Sequence, residues 1–216
     1  GYYDGTIKFW NMDGTPHKKP LRAYDEWLRV LAITKDGGRV AIANDDGRFK
    51  THLIKEGFQS TEFIGHVGWV EKISFSPNKK YIASASYDGT VKVWTRDATL
   101  LQTIKNEGTV ASAIDFTLKG DTLLIGYESG SHQIWKINGK NLIDNKIIHN
   151  GPIIDIKHLP NRNLVVTMSL DGNIKYWSFS DQLIFEHSAE EKISVGATSK
   201  NGEYLATGHE SGMIKV

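Results

Sequence analysis

The chain has 216 residues, of which 24% are charged and 39% hydrophobic, and its formal net charge is +1. This composition is typical of a foldable globular chain, and a charge so close to zero disfavours nucleic acid or an acidic membrane as the partner. The absence of cysteine excludes disulfides and thiolate metal sites. No apolar run reaches the roughly 20 residues that a membrane span needs. We therefore expect an intracellular protein, cytoplasmic or nuclear.

One short pattern recurs along the whole chain: Asp or Ser followed by Gly, and then a run of β-forming residues. Consecutive copies are 40 to 42 residues apart, and in the clearest copies the run ends in Trp, as at 90–94 and 173–177. Gly tolerates the positive φ of a tight turn and Asp bonds to its own local backbone, so each copy predicts a hairpin turn followed by a strand. In chain order the pairs are Asp4-Gly5, Asp46-Gly47, Asp88-Gly89, Ser129-Gly130, Asp171-Gly172 and Ser211-Gly212.

Three further β-rich runs accompany each pair. In the clearest repeat they cover 69–75, 81–86 and 99–104, around the run that ends at Trp94. Four short strands per repeat predict one small antiparallel sheet, and helical periodicity is not sustained anywhere. The repeats are expected near residues 1–24, 25–65, 66–106, 107–149, 150–189 and 190–216.

These features resemble the WD-repeat family of β-propellers, most closely over residues 65–94. The resemblance implies an all-β propeller of four-stranded antiparallel blades, with about five repeats present in a single segment. Segments 3–10 and 210–216 would compete for the one strand position that closes a ring. We therefore expect a portion of a seven-bladed ring, and a five-bladed ring with an extra flap is the alternative.

Two sets of polar side chains look catalytic at first sight. Each set combines a His, a hydroxyl residue, an Asp and a Trp at the same offsets, and repetition in phase with the fold argues against catalysis. The resemblance implies instead a buried chain of hydrogen bonds that runs from the Trp indole through the hydroxyl and the His to the Asp. The two sets are His66, Ser84, Asp88 and Trp94, and His149, Thr167, Asp171 and Trp177.

Other signals of chemistry are missing from the sequence. The eight histidines are scattered without the spacing of metal ligands. There is no GxxxxGK[ST], HExxH or GxSxG pattern. We therefore expect no enzymatic activity, no metal site and no cofactor.

Trp27 and Trp69 lie outside the phased Trp position, just before the innermost strands of consecutive repeats. In the family, the loop at this place opens on the top face of the propeller, which partners commonly use. Large aromatic residues and Arg are frequent at interface hot spots, and rings beside acids suit a peptide with a basic residue. The alternative is that both Trp residues cap the core between blades. The predicted partner-binding residues are Trp27, Arg29, Asp45, Trp69, Glu71, Tyr87 and Tyr3.

The leading hypothesis is a non-enzymatic interaction scaffold or recognition module within a larger assembly, which binds a protein or peptide on the top face. The alternative is a ligand-sensing propeller of a multidomain enzyme, such as an NTPase, whose catalytic part lies outside this chain. A propeller enzyme would need ionisable residues gathered at one mouth of the central channel without the phase of the repeat, and we expect none beyond the acids already named.

Overall fold

The computed structural model describes residues 1–2, 4–25, 27–55, 58–106, 108–199 and 202–216. In these ranges the regular structure consists of 21 β-strands joined by short turns. None of the described residues belongs to a helix long or apolar enough to span a membrane. The predicted all-β class is therefore confirmed.

The strands form six antiparallel sheets, in each of which the strands follow chain order. The first sheet has two strands, the last has three, and the four between them have four each. The two-stranded sheet contains β1 (Thr6–Ile7) and β2 (Leu21–Arg22). The four-stranded sheets, in chain order, contain β3 (Val30–Ile33), β4 (Arg39–Ala43), β5 (Phe49–Leu53) and β6 (Ser60–Phe63); β7 (Val70–Phe75), β8 (Tyr81–Ser86), β9 (Thr90–Thr95) and β10 (Leu100–Lys105); β11 (Ala111–Phe116), β12 (Thr122–Tyr127), β13 (Ser131–Lys136) and β14 (Asn141–Ile147); and β15 (Ile153–Leu159), β16 (Leu164–Ser169), β17 (Asn173–Trp177) and β18 (Leu183–Ser188). The last sheet contains β19 (Ile193–Thr198), β20 (Leu205–His209) and β21 (Ile214–Lys215).

The recurring Gly residues form the turns between the second and third strands of the sheets. Gly89 has a φ of 77° and Gly172 a φ of 83°, in the left-handed region that favours glycine. The preceding Asp88 holds its turn, because its Oδ1 accepts a hydrogen bond from the Thr90 backbone N–H at 2.9 Å. The hairpins predicted from the sequence are thus explained by backbone freedom at Gly and local capping by Asp.

Adjacent sheets pack face to face through their apolar residues. The innermost strands contact each other in chain order, β3 with β7, β7 with β11, β11 with β15 and β15 with β19. Trp94 of β9 shows why one blade depends on the next: its ring lies edge-on to Phe49 and Phe63 of the preceding sheet, at 6.0 and 5.8 Å between centroids. Trp94 is only 2% exposed. Removing the neighbouring blade would therefore expose a large aromatic surface.

Candidate functional site

The ends of β7 and β8 bring together residues from two loops at one mouth of the blade stack. Val70 pairs with Ser86 at this end of the sheet. The Tyr87 backbone N–H donates to the Trp69 carbonyl oxygen at 2.9 Å. In the preceding blade, the Arg29 backbone N–H donates to the carbonyl oxygen of Ala43 at 2.9 Å and so fixes Arg29 beside the end of β4.

Arg29 is the centre of a compact group of side chains from both blades. Its Nε donates to Asp45 Oδ1 at 2.6 Å, and its Nη1 lies 3.6 Å from Glu71 Oε2. Its guanidinium carbon lies 4.2 Å from the centre of the Trp69 ring. The Trp69 and Tyr87 rings are 5.4 Å apart and tilted by 59°. We call these five residues the Arg29 cluster.

The cluster carries an excess of negative charge. One guanidinium faces two carboxylates, which gives a local charge of −1. The hydrogen bond to Asp45 raises the pKa of Arg29, and the charges of Asp45 and Glu71 add to this, so Arg29 stays protonated. Glu71 Oε2 is buried, and among the described residues no donor lies within hydrogen-bond distance of it. The cluster therefore has more acceptor capacity than its own arginine uses.

The aromatic residues of this region lie at the surface. Trp69 is 44% exposed and Tyr87 is 47% exposed, whereas Trp94 in the core is 2% exposed. Trp27, two residues before Arg29, is 64% exposed. These values favour a contact surface over the alternative in which Trp27 and Trp69 cap the core. Tyr3, the remaining predicted partner-binding residue, lies outside the described residues.

A β-bulge determines how Glu71 projects. The register between β7 and β8 shifts between Val70 and Lys72, so that Glu71 is the extra residue on its strand. Bulges redirect a side chain without ending the sheet. The same shift leaves Ser112, Ile154 and Ser194 as the extra residues of β11, β15 and β19.

The first set of polar residues forms a continuous buried chain. Trp94 Nε1–H donates to Ser84 Oγ at 2.9 Å, and Ser84 Oγ lies 2.8 Å from His66 Nε2. His66 Nδ1 lies 2.9 Å from Asp88 Oδ2. Burial lowers the pKa of His66, so its ring is neutral. Its Nδ1–H then donates to Asp88, and its Nε2 accepts from the Ser84 hydroxyl.

Asp88 holds the charged end of this chain. Burial alone would raise the pKa of Asp88, but hydrogen bonds from Thr90 and His66 outweigh it and the pKa is lowered. The hydroxyl of Ser84 is fully buried, with Trp94 and His66 as its partners. A nucleophile needs access to a substrate, and this oxygen has none.

The second set repeats this geometry two blades later. Trp177 Nε1 donates to Thr167 Oγ1 at 3.1 Å, and Thr167 Oγ1 lies 2.8 Å from His149 Nε2. His149 Nδ1 lies 3.1 Å from Asp171 Oδ2. The structure thus brings all eight predicted network residues into two matching chains.

The blade between these two sets uses different residues for the same task. Trp135 Nε1 donates to Gln133 Oε1 at 3.3 Å, and the Tyr127 hydroxyl donates to the same oxygen at 2.6 Å. Tyr127 and Gln133 are both buried. No family motif indicates this pair, although an indole N–H that is shielded from water requires an acceptor.

An ionic cluster on the innermost strands was missed by the sequence analysis. Lys157 Nζ lies 2.9 Å from Asp155 Oδ1 and 3.9 Å from Asp115 Oδ2. Burial opposes the charge of Lys157, but the two carboxylates outweigh it and raise its pKa. These three residues lie on the innermost strands β11 and β15 and were not among the acids named from the sequence. The available signal was spacing, because Asp115 and Lys157 occupy equivalent positions of consecutive repeats.

This ionic cluster adjoins a cleft of 430 Å³ whose lining includes Phe75, Lys35, Asp115 and Lys157. The charges there are of both signs: burial raises the pKa of Asp115, and Lys157 and Lys35 oppose this effect. Within the described ranges, no three His, Asp or Glu side chains are grouped so that they could hold a metal ion.

Comparison with known proteins connects this geometry to a family. The model of the family described as "WD domain, G-beta repeat" matches residues 57–95 and 145–178, which contain all eight residues of the two hydrogen-bonded chains. The chain has the β-propeller fold and contains WD repeats in these two segments. A chain in the crystal structure of a mitotic checkpoint complex shares the propeller fold, with a TM-score of 0.84 over 97% of this chain and 68% of that one, at 16% identity.

Curated relatives of this WD-repeat propeller are distant and longer. It is 24% identical over 148 residues to small ribosomal subunit protein RACK1y of Oryza sativa subsp. japonica, covering 64% of this chain and 43% of the relative. It is 24% identical over 204 residues to the ribosome biogenesis protein WDR12 homolog of Drosophila mojavensis, covering 82% and 47%. The WD-repeat propeller thus spans less than half the length of these two relatives.

Proposed function

We propose that this WD-repeat propeller is a non-enzymatic scaffold within a larger assembly and that it binds a protein or peptide at the Arg29 cluster. The observation that carries the proposal is the pair of exposed rings, Trp69 and Tyr87, in contact with an ionic group of net negative charge. Exposed aromatic residues with a polar neighbour are the usual centre of a protein interface. The printed names of the similar proteins, a ribosomal protein, a ribosome-biogenesis protein and a chain of a checkpoint complex, are consistent with a role in a larger assembly.

The charge of the cluster indicates the chemistry of the partner. Two carboxylates and one guanidinium attract a basic side chain and repel the phosphates of a nucleic acid. The exposed face of an aromatic ring also attracts a cation, by about 0.5–1 kcal/mol at surface sites. We therefore propose a protein or peptide partner that places a Lys or Arg among apolar residues.

The proposal can be tested with peptides selected from a random phage-displayed library on the intact chain. Selected peptides are labelled, and their affinities are measured by fluorescence anisotropy for the wild type, Trp69→Ala and the matched control Trp10→Ala. Trp10 is 54% exposed and lies between β1 and β2, where it forms an isolated bridge with Pro16. Trp69→Ala should weaken binding by about 2 kcal/mol, or roughly 30-fold, as hot-spot truncations do.

Trp10→Ala should leave the affinity unchanged. The proposal fails if the selected peptides bind Trp69→Ala as tightly as the wild type, or if replacing their basic residues by the neutral analogue citrulline or by Gln leaves binding intact. Far-ultraviolet circular dichroism of each variant checks that the β-structure is retained.

A further inference from the structure

The site on Trp69 for a cation is already filled by a residue of this chain. Arg29 lies over the Trp69 ring at 4.2 Å, donates to Asp45 at 2.6 Å and approaches Glu71 at 3.6 Å. A ring face with two carboxylates at its margin is the environment that recognises a guanidinium in any ligand. We infer that Arg29 is a built-in substitute for the partner's basic side chain, and that the partner binds by displacing it. This inference rests on the proposed function.

The position of Arg29 permits such a displacement. Its side chain is 30% exposed, so it can leave the ring toward solvent. It comes directly before β3, and its contacts are with the β4–β5 turn of its own blade and with β7 of the next blade. Ion pairs near the protein surface contribute little to stability and are screened by salt.

The fold itself does not require an arginine at this position. The equivalent residues of the next three repeats are Glu71, Ser112 and Ile154, which differ in charge and size. The hydrogen-bonded networks that end in Trp94 and Trp177 recur with the repeat, whereas the residue type at this position does not. The arginine is therefore specific to this site.

Displacement sets the selectivity of the site. We call the Trp69 ring face with its two marginal carboxylates the slot. A ligand must compete with a tethered guanidinium for this slot, so its apparent affinity is its intrinsic affinity multiplied by the fraction of time that Arg29 leaves the slot free. A planar guanidinium matches the slot better than an ammonium, because it can stack on the ring and bond to a carboxylate at once. We therefore expect the wild-type site to prefer peptides with Arg over peptides with Lys.

The test uses the full chain and one defined probe, the acetylated and amidated pentapeptide Gly-Ala-Arg-Ala-Gly, with a citrulline version as the neutral control. Binding is measured by nuclear magnetic resonance titration for the wild type, Arg29→Gln and Arg29→Lys. Arg29→Gln empties the slot and should tighten binding about tenfold, equivalent to about 1.4 kcal/mol. Arg29→Lys keeps the charge but competes less well, so its affinity should lie between the two.

Arg22→Gln is the matched control, because it removes an arginine from an exposed ion pair with Asp25 at 3.0 Å. It should leave the affinity for the probe unchanged. The Nε–H signal of Arg29, assigned by its loss in Arg29→Gln, gives a direct readout: saturating probe should shift it toward the position of a solvated arginine. The citrulline peptide should produce neither effect.

Other outcomes would overturn the inference. If Arg29→Gln tightens binding while Arg29→Lys matches the wild type, only charge matters and no slot is vacated. Weaker binding by either variant, or no binding by both, also contradicts displacement. Peptides from the library that depend on Trp69 in the wild type would leave the proposed function standing in these cases. Conversely, Arg29→Gln could bind the probe more tightly while no library peptide depends on Trp69. This result would support displacement of Arg29 and contradict the proposed function.

Discussion

Ser84→Ala is the sharpest test of the buried hydrogen-bond chain. The substitution removes one oxygen that is fully buried and leaves two partners without it, the Trp94 indole N–H at 2.9 Å and His66 Nε2 at 2.8 Å. Each buried polar group left unsatisfied costs about 1–3 kcal/mol. Because the change in volume is small, the cavity contributes little, and we expect the free energy of unfolding to fall by about 3 kcal/mol.

The assay is urea denaturation followed by circular dichroism, combined with a double-mutant cycle. Trp94→Phe keeps most of the ring and removes the indole N–H, so one of the two groups that Ser84→Ala would leave unsatisfied no longer exists. Ser84→Ala should therefore cost about 1 kcal/mol less in the Trp94→Phe background than in the wild type. An unchanged slope of the transition checks that both states keep their compactness.

Additive effects in this cycle would refute the reasoning, because they would mean that Ser84 and Trp94 do not share a hydrogen bond that matters. A cost below about 0.5 kcal/mol for Ser84→Ala alone would do the same, since that is the usual range for surface substitutions. A parallel cycle with Thr167→Val and Trp177→Phe should give the same sign, because the second blade repeats the geometry.

Three further predictions concern packing, protonation and backbone conformation. Trp94→Ala should lower the free energy of unfolding by about 3–5 kcal/mol, whereas Trp69→Ala, at an exposed position, should lower it by less than about 1 kcal/mol, as urea denaturation will show. Burial lowers the pKa of His132 from 6.5 to about 4. Between these pH values the unfolded chain binds a proton at His132 and the folded chain does not. About 3 kcal/mol of the free energy of unfolding is therefore present above pH 6.5 and is lost as the pH falls toward 4. His132→Gln should flatten the decline of the melting temperature over that interval, and an unaltered decline would contradict the assignment. Gly47→Ala adds a Cβ that would lie 2.8 Å from a backbone oxygen at a φ of 78°, so it should destabilise clearly more than Gly139→Ala, where the φ is 88° but no atom lies within 4 Å.

The fold could be predicted from the sequence because its determinants are local and repeated. Each Asp–Gly or Ser–Gly pair specifies a turn, and each apolar alternation specifies a strand, so an error in one repeat is corrected by the others. The all-β class and the four-stranded antiparallel blades were confirmed for this reason. The number of blades in a closed ring stays a prediction, because it depends on packing angles between blades that no local pattern encodes.

The candidate site was only partly predictable. Repeat phase together with the family resemblance predicted Arg29, Asp45, Trp69, Glu71 and Tyr87 at one mouth, and their side chains do make contact. Repeat phase could not show that Asp45 and Glu71 already hold the guanidinium of Arg29. That contact depends on side-chain rotamers and on distances between two blades. The role of these residues in binding a partner therefore stays a prediction.

Two other features were not predicted from the sequence, because they too depend on how side chains meet in space. Gln133 replaces a hydroxyl as the acceptor for Trp135, and it lies on the third strand instead of the second, so a search at fixed offsets passes over it. Asp115 and Lys157 meet only because β11 and β15 pack side by side. Each residue alone looks like an ordinary polar residue of an innermost strand.

The bulges on the innermost strands give each of these blades one residue that can vary independently of the strand pairing. In each of four blades the extra residue is free of the pairing rule that fixes its neighbours, and these residues are Glu71, Ser112, Ile154 and Ser194. A substitution at one of these bulge positions changes a side chain at the mouth of the stack, while the hydrogen-bonded strands keep their register. The mouth of the stack can therefore acquire new specificities one blade at a time, while the pairing of the strands is kept.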